Sequence, residues 1–316
     1  MSNIYNLATT KANPFADTFD GGVLDFDVTT SDIFLDPYRD DLPISLPSYP
    51  STDKKAVCKL DEDGTIKDWW VVGRDYPVKS HRNFYGAIES EMLENMDPND
   101  VADVKVVTKV ARNGRWGLRD YTFPNIQVPI TTTKGHDTTI SLRIVAWSGL
   151  DGGTANNYML GAFDNYCTNG MVFSEASDPQ SSCIKSYKRN TKNFSVTSFA
   201  HNLQSASETF YRQASQYQRM ASSKLHSEYG HRFIESMKMS QSKREGIKVL
   251  YDAEIVVRGN NVFALHSALT NYSSHASHDL FRSRTTKVDV QAESMFRREG
   301  EVSDIFSSPQ WLQLAA

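Results

Sequence analysis

The chain of 316 residues contains no run of 18 consecutive apolar residues, so no transmembrane helix is expected. It has only three cysteines, Cys58, Cys167 and Cys183, far apart and odd in number. That argues against a disulfide framework and for reduced thiols in a cytosolic compartment. The first residues, MSNIYNLATTKANPF, lack the charged-then-apolar order of a secretory leader. Neither Cys-x-x-Cys nor His-Glu-x-x-His occurs, and the closest histidine pair is His275-x-x-His278, so no metal site is expected. The stretch Ser148-Gly149-Leu150-Asp151-Gly152-Gly153 lacks the Gly-Lys-Ser/Thr of a phosphate-cradling loop and opens no helix, so it reads as a turn. No partner base for Cys167 can be named, which leaves it a small buried thiol. No internal repeat is visible, no motif calls for a cofactor, and covalent catalysis has little to rest on.

What the chain does have is charge asymmetry. Residues 1–63 hold 5 Lys/Arg against 12 Asp/Glu, and residues 185–258 hold 13 against 6. Either these are independent solvated surfaces, or a basic nucleic-acid surface is matched by an acidic segment that competes for it or binds a partner. Residues 1–54, rich in Asp, Thr, Ser and Pro, read as a largely irregular acidic arm with at most short strands. Residues 55–192 read as an antiparallel-sheet domain with one helix, 193–280 as a helical region packed on it, and 281–316 as a tail without clear pattern.

Within the sheet domain, strands are expected at 55–60 and 65–73 around Asp63-Gly64. A helix follows from Ser80 to Met96, with Ser80 as N-cap and Phe84, Ile88, Met92 and Met96 as its buried stripe. Asp97-Pro98 ends it. Residues 102–123 read as a hairpin. A three-residue loop, Arg112-Asn113-Gly114, would pair Ala111 with Arg115. It would place Val104, Val106, Val110, Trp116 and Leu118 on one face, and Lys105, Lys109, Arg115, Arg119 and Tyr121 on the other. A second pair, 138–148 and 154–163, turns at Leu150–Gly153. Its Ile140, Leu142, Ile144 and Ala146 face the core, opposite Ser141, Arg143, Val145 and Trp147. From about Ser195 to Ser222, Phe199, Leu203, Ala206, Phe210, Ala214, Tyr217 and Met220 follow helical spacing. Shorter helices are expected at 230–240 and 242–251, and a last one over NVFALHSALTNYSSHA.

The segment LRIVAWSGLDGGTANNYMLGAFDNYCTNGMVF resembles the core signature of a family known as domain of unknown function 932. That signature runs strand, polar Asp-Gly turn, strand, then Cys-x-Asn-Gly-Met/Leu-Val, here Cys167-Thr168-Asn169-Gly170-Met171-Val172. Lys188-Arg189-Asn190-Thr191 is similar to its Lys-His-Thr run, and Val72-Gly73-Arg74-Asp75-Tyr76-Pro77-Val78 to its Ser-Asp-x-Tyr-x-Val stretch. His266-Ser267-Ala268-Leu269-Thr270-Asn271-Tyr272-Ser273-Ser274-His275 is similar to its Tyr-Asn-Ala-x-Thr-x-Tyr-x-x-His motif. The likeness covers about residues 55–280. Asp164 stands where the family often has Arg, Arg189-Asn190 where it has His, and His266 where it has Tyr.

That resemblance implies a phage-, prophage- or plasmid-encoded protein. It also implies a distant likeness to the single-strand annealing group that includes RecT, lambda Red beta and Erf. The implied fold is α+β, an antiparallel sheet with a β-β-α-β-β-β-α-like core followed by a helical C-terminal region. The implied function is non-enzymatic binding and annealing of single-stranded DNA by a homo-oligomeric ring or filament, in the cytoplasm of a bacterial host. A phage or host replication or recombination protein is a further expected partner, and no membrane is. Candidate DNA-binding residues are Lys105, Lys109, Arg112, Arg115, Arg119, Tyr121, Arg143, Lys188, Arg189 and Lys192, with Trp147, Tyr158 and Tyr187 as further stacking aromatics. Asp151, Gly152, Cys167, Asn169 and Gly170 are assigned to structure. Two other readings compete: an interaction protein that uses the acidic arm and no DNA, and a metal-dependent enzyme acting on nucleic acid. The plain alternative for the sheet charges is that they keep an open antiparallel face soluble.

Overall fold

The structure, a computed structural model, describes residues 15, 24–35, 49–135, 137–154, 156–165, 169–172, 199–200, 203, 206–275, 298 and 300–315. The fold is α+β. Strands β1 (Val28–Leu35), β2 (Tyr49–Leu60) and β3 (Ile66–Gly73) form a small antiparallel sheet in the order β1-β2-β3. Helices α1 (His81–Asn95) and α2 (Pro98–Val101) come next. Strands β4 (Lys105–Ala111), β5 (Trp116–Thr131), β6 (Asp137–Gly149), β7 (Asn157–Asp164) and β8 (Asn169–Val172) then form a five-stranded antiparallel meander. The helical layer holds α3 (Ala206–Ser222), α4 (Ser227–Ser236), α5 (Gln241–Arg258) and α6 (Val262–His275). Residues 300–306 are also helical, and α7 (Pro309–Ala315) closes the described chain.

Helix α1 starts where its cap demands. The Ser80 hydroxyl accepts from the Asn83 N–H at 3.2 Å, which satisfies one of the four donors that a helix start leaves open. Phe84, Ile88 and Met92 are buried, and Met96 packs against the same core. Asp97 caps the next short helix and Pro98 opens it. In α3 every described residue of the expected stripe is buried, as are Phe199 and Leu203 ahead of it. The principal core lies between one face of the five-stranded sheet and the helices. Ile140, Leu142, Ile144 and Ala146 point into it, as their alternation predicts, and Arg143, Val145 and Trp147 take the outer face.

The hairpin register differs from expectation by one residue. Ala111 pairs with Trp116, Lys109 with Leu118 and Val106 with Tyr121, so residues 112–115 form a four-residue connection. Arg112, Asn113 and Gly114 carry φ of 54°, 56° and 86°. Three successive left-handed residues curl the chain into one more position than the three-residue loop allows. The slip exchanges the faces of the second strand. Trp116 and Leu118 share the outer face with Lys105 and Lys109, in a small cluster with Ala111, Val145 and Met159. Arg119 and Tyr121 turn inward, beside Ala146 and Ile144.

Part of the acidic segment is docked. Strand β1 pairs along β2, and β2 runs through position 54, so the boundary expected there falls inside a strand. Phe15 and Leu24 belong to the principal core. Gly117 lies directly under Leu24, where an added Cβ would sit 2.7 Å from the nearer methyl. A second tie holds the sheet to the helices. Arg258, fully buried on α5, donates to Asp164 at the end of β7 (2.6 Å) and to Glu254 (2.7 Å), and Thr138 donates to the other Asp164 oxygen (2.6 Å).

The docking of Leu24 predicts a coupled pair of effects. Gly117→Ala is expected to destabilise the protein by about 1–3 kcal/mol through overpacking. The same substitution in a Leu24→Ala background should cost much less, read as a coupling energy from urea midpoints. Equal costs in both backgrounds would show that residue 24 is not seated there.

Candidate nucleic-acid interface

The expected basic residues separate into five environments. Lys105 is exposed and Lys109 half-buried, both on the outer face of β4, the end strand of the large sheet. Arg112, in the turn, pairs with Asp151. Arg115 donates to both Asp68 oxygens of β3 at 3.0 and 3.1 Å and lies over the Trp70 ring, 4.9 Å from its centroid. Arg143 makes a two-pronged contact with Asp120 on the neighbouring strand, Nε to Oδ1 at 2.8 Å and Nη2 to Oδ2 at 2.7 Å, and is almost wholly buried. This diagonal cross-strand pair neutralises the outer face at its centre.

Arg119 is in the core. It pairs with Glu89 of α1, and the Tyr121 hydroxyl donates to the same carboxylate oxygen at 2.8 Å. Helix α1 sets His81, Tyr85 and Glu89 four residues apart, so this polar row lies along the face that meets Arg119 and Tyr121. The Arg119 guanidinium stands 5.5 Å from the Tyr85 ring centroid. Burial pushes the Glu89 carboxyl up, against the opposing pull of Arg119 and the Tyr121 O–H. Burial likewise pushes the Tyr85 and Tyr121 hydroxyls well above their usual range. Tyr158 is also on the core face, edge-on to Phe199 at 4.7 Å. Neither tyrosine presents a ring to a strand of DNA, and Trp147 is half-buried on the outer face.

His81 closes the row beside the hairpin turn. Its Nε2 lies 2.6 Å from the Gly114 carbonyl, which can only accept, so Nε2 carries the proton. Burial, with Lys59 nearby, pushes its pKa down to about 4. The turn at Leu150–Gly153 is held from within and without. Asp151 accepts from the N–H groups of Gly153 (2.9 Å) and Thr154 (3.0 Å), while Gly152 takes φ +73°. The Trp70 indole donates to the Leu150 carbonyl at 2.5 Å and the Tyr76 hydroxyl to Gly149 at 2.8 Å. These bonds seat the small sheet on the end of the large one. Asn169 and Gly170 lie on β8, paired with Asp164 and Phe163. Cys167, Tyr187, Lys188, Arg189, Lys192 and His278 lie outside the described residues. Among the described residues, no group of three metal-capable side chains comes together.

Residues 88–298, two thirds of the chain, match the family model described as Domain of unknown function (DUF932). The chain belongs to this family. The DUF932 match begins within α1 and takes in the five-stranded sheet and α3–α6, while the small sheet and His81 precede it. No curated protein and no solved structure matches. No helix among the described residues is long and apolar enough to cross a membrane.

Two predictions follow from the inward row. Arg119→Ala is expected to destabilise the protein by about 3–5 kcal/mol, because it leaves the Glu89 charge buried and unpaired. Lys105→Ala should stay within about 0.5 kcal/mol of the parent. Chemical denaturation reads both, and equal small effects would place Arg119 at the surface. The second concerns pH. His81 has a folded pKa of about 4 against 6.5 unfolded, so its contribution is full above 6.5 and is lost as pH falls toward 4. The loss is on the order of 3 kcal/mol. His81→Gln should flatten the fall in stability between pH 6.5 and 4, and an unchanged slope would contradict the assignment.

Proposed function

We propose that the protein binds single-stranded DNA through its phosphates and promotes strand annealing without covalent chemistry, along the β4 edge and its turn. The observation that carries this reading is the row Lys105, Lys109, Arg112 and Arg115. All four remain at least partly exposed, on one end strand and the turn that follows it. Lys105 and Lys109 share one face and lie about 13 Å apart at the rise of an extended strand. A track of this kind positions phosphates and carries no sequence information. The reading drops Arg119 and Tyr121, which are in the core, and Arg143, which is almost wholly buried in its pair with Asp120, whereas Arg112 and Arg115 stay partly exposed in their pairs with Asp151 and Asp68. It keeps Lys188, Arg189 and Lys192, which lie outside the described residues, as candidate phosphate contacts on the ground of their charge.

The same reading includes a phage- or plasmid-encoded origin, action in the cytoplasm of a bacterial host, and assembly into a homo-oligomer. Assembly is supported by β3, the end strand of the small sheet, where Trp69 is 60% and Val71 45% exposed on one face. Among the described residues β3 has a strand neighbour on one side only, and a strand edge with apolar side chains is a template for a second chain. A phage or host recombination protein is the further partner it would take. The rival reading, a partner-binding acidic arm on a chain without DNA activity, has to accommodate Phe15, Leu24 and β1, which are part of the fold.

Replacing both Lys105 and Lys109 by Gln tests the track. Binding of a long single-stranded oligonucleotide should weaken while thermal stability holds. The slope of log affinity against log salt should fall by about 1.4, two single-strand phosphate contacts' worth. If the parent protein fails to shift the oligonucleotide at low salt, the proposal is lost.

A further inference from the structure

Strand β3 carries its apolar bulk at the margin of the small sheet. Trp69 and Val71 are exposed on the outer face, while Trp70 and Val72 are buried on the other with Leu150. Across β2 their neighbours are the small residues Cys58 and Ala56. This surface precedes residues 88–298, so it lies outside the part of the chain that matches the family model.

The edge beside that face is guarded. Arg74 gives its N–H to Asp53 on the β2 side at 2.9 Å, so by alternation Trp69 and Val71 present their backbone groups to the other side. There the Trp69 N–H donates to the Asp68 carboxylate at 2.8 Å, and the Trp69 carbonyl accepts from Arg115 Nη2 at 3.4 Å. Asp68 and Arg115 hold each other at 3.0 and 3.1 Å. Charged side chains at a strand edge keep it from recruiting another strand. The clasp is incomplete, however. Arg115 is partly exposed, and its Nε is buried without a hydrogen-bond partner among the described residues. An unmet buried donor lowers the cost of letting go.

Both the side chains and the charges fit a second copy of the same strand. Antiparallel pairing about a two-fold axis at Trp70 sets Trp69 opposite Val71 of the second copy, and does so twice. An aromatic beside a β-branched side chain is a favourable cross-strand pair. An axis at Trp69 would set the tryptophan against itself, and one at Val71 would set it against Gly73. Residues 61–68, at the turn end of β3, hold four acids against one lysine, while residues 53–55 and 74–79, at the other end, hold four bases against two acids. Antiparallel pairing brings these unlike ends together, and parallel pairing would oppose like ends. We propose that β3 pairs with β3 of a second copy to form a two-fold dimer, and that the clasp of Arg115 and Asp68 opens to admit it. The dimer rests on the homo-oligomer reading above and gives it a surface, a register and a guard. Such an interface is self-complementary and closed.

Sedimentation of the full chain tests the dimer. The parent should dimerise weakly and reversibly. Arg115→Ala should tighten the dimer about tenfold, because two clasps open per dimer and each partly exposed ion pair is worth a few-fold. Trp69→Lys alone and Val71→Glu alone should be monomeric. Mixed, these two variants should form a heterodimer, since this register sets the two new charges against each other. Both positions are exposed, and a melting curve checks that each variant folds as the parent does. Four results would overturn the proposal: parent and Arg115→Ala both monomeric at the highest concentration reached, an Arg115→Ala dimer no tighter than the parent's, assembly that Trp69→Lys and Val71→Glu leave intact, or a mixture that stays monomeric. Assembly through another surface would leave the homo-oligomer reading standing. Failure of the parent to bind a long oligonucleotide would count against the β4 track alone.

Discussion

Arg119, Glu89 and Tyr121 form the contact on which the arrangement of the sheet depends. The guanidinium lies on the core face of β5, the carboxylate on the facing side of α1, and the phenol shares the carboxylate from two residues along the strand. Moving β5 by one residue would carry Arg119 to the outer face and leave Glu89 buried without its partner. Burying two charges costs several kcal/mol per ion, and their attraction roughly offsets this only in good geometry. The contact therefore adds little net stability and instead discriminates between registers. It selects the four-residue turn, and with it the outward position of Trp116 and Leu118.

The same device appears at the other end of the sheet. Asp164 on β7 receives Arg258 from α5, and Glu254 and Thr138 complete the shell. Both ion pairs lie on the core face and join a strand to a helix. The positive partner of Asp164 comes from α5. Between these two anchors lie the apolar residues of β6 and β7 that face the core. At the turn end, Trp70 and Tyr76 tie the small sheet to Leu150 and Gly149, and Arg115 adds a charged clasp to Asp68. Arg119 is thus engaged in holding the protein together, and the surface proposed for an anionic polymer narrows to the β4 edge and its turn.

Local signals made much of this fold legible. Ser80, the four-residue stripe and Asp97-Pro98 mark α1 because capping and periodicity act within a few residues. The alternation of Ile140, Leu142, Ile144 and Ala146 fixes the β6 faces for the same reason. The hairpin register was not legible from valines and tryptophan alone, because both faces of the sheet bury apolar side chains and both could accept Trp116 and Leu118. Reading Arg119 as a surface charge followed from the ordinary preference of arginine for water; its partner Glu89 lies 30 residues away on a helix. Phe15 and Leu24 lie in a stretch where apolar residues alternate with Asp, Thr and Gly without a sustained period, so nothing local announces that they reach the core. Phe306 and Trp311 sit on two short helical pieces whose burial comes from α3 and α6, and neither piece shows a periodic stripe of its own.

The inward position of Arg119 is tested most directly by arginine-selective chemical labelling of the native protein, resolved residue by residue by mass spectrometry. Arg112, whose side chain is 47% exposed, should be modified readily, while Arg119, at 1%, should stay protected until the protein is unfolded. Modification of Arg119 at the rate of Arg112 in the folded state would contradict the register, and with it the reduction of the basic face to an edge.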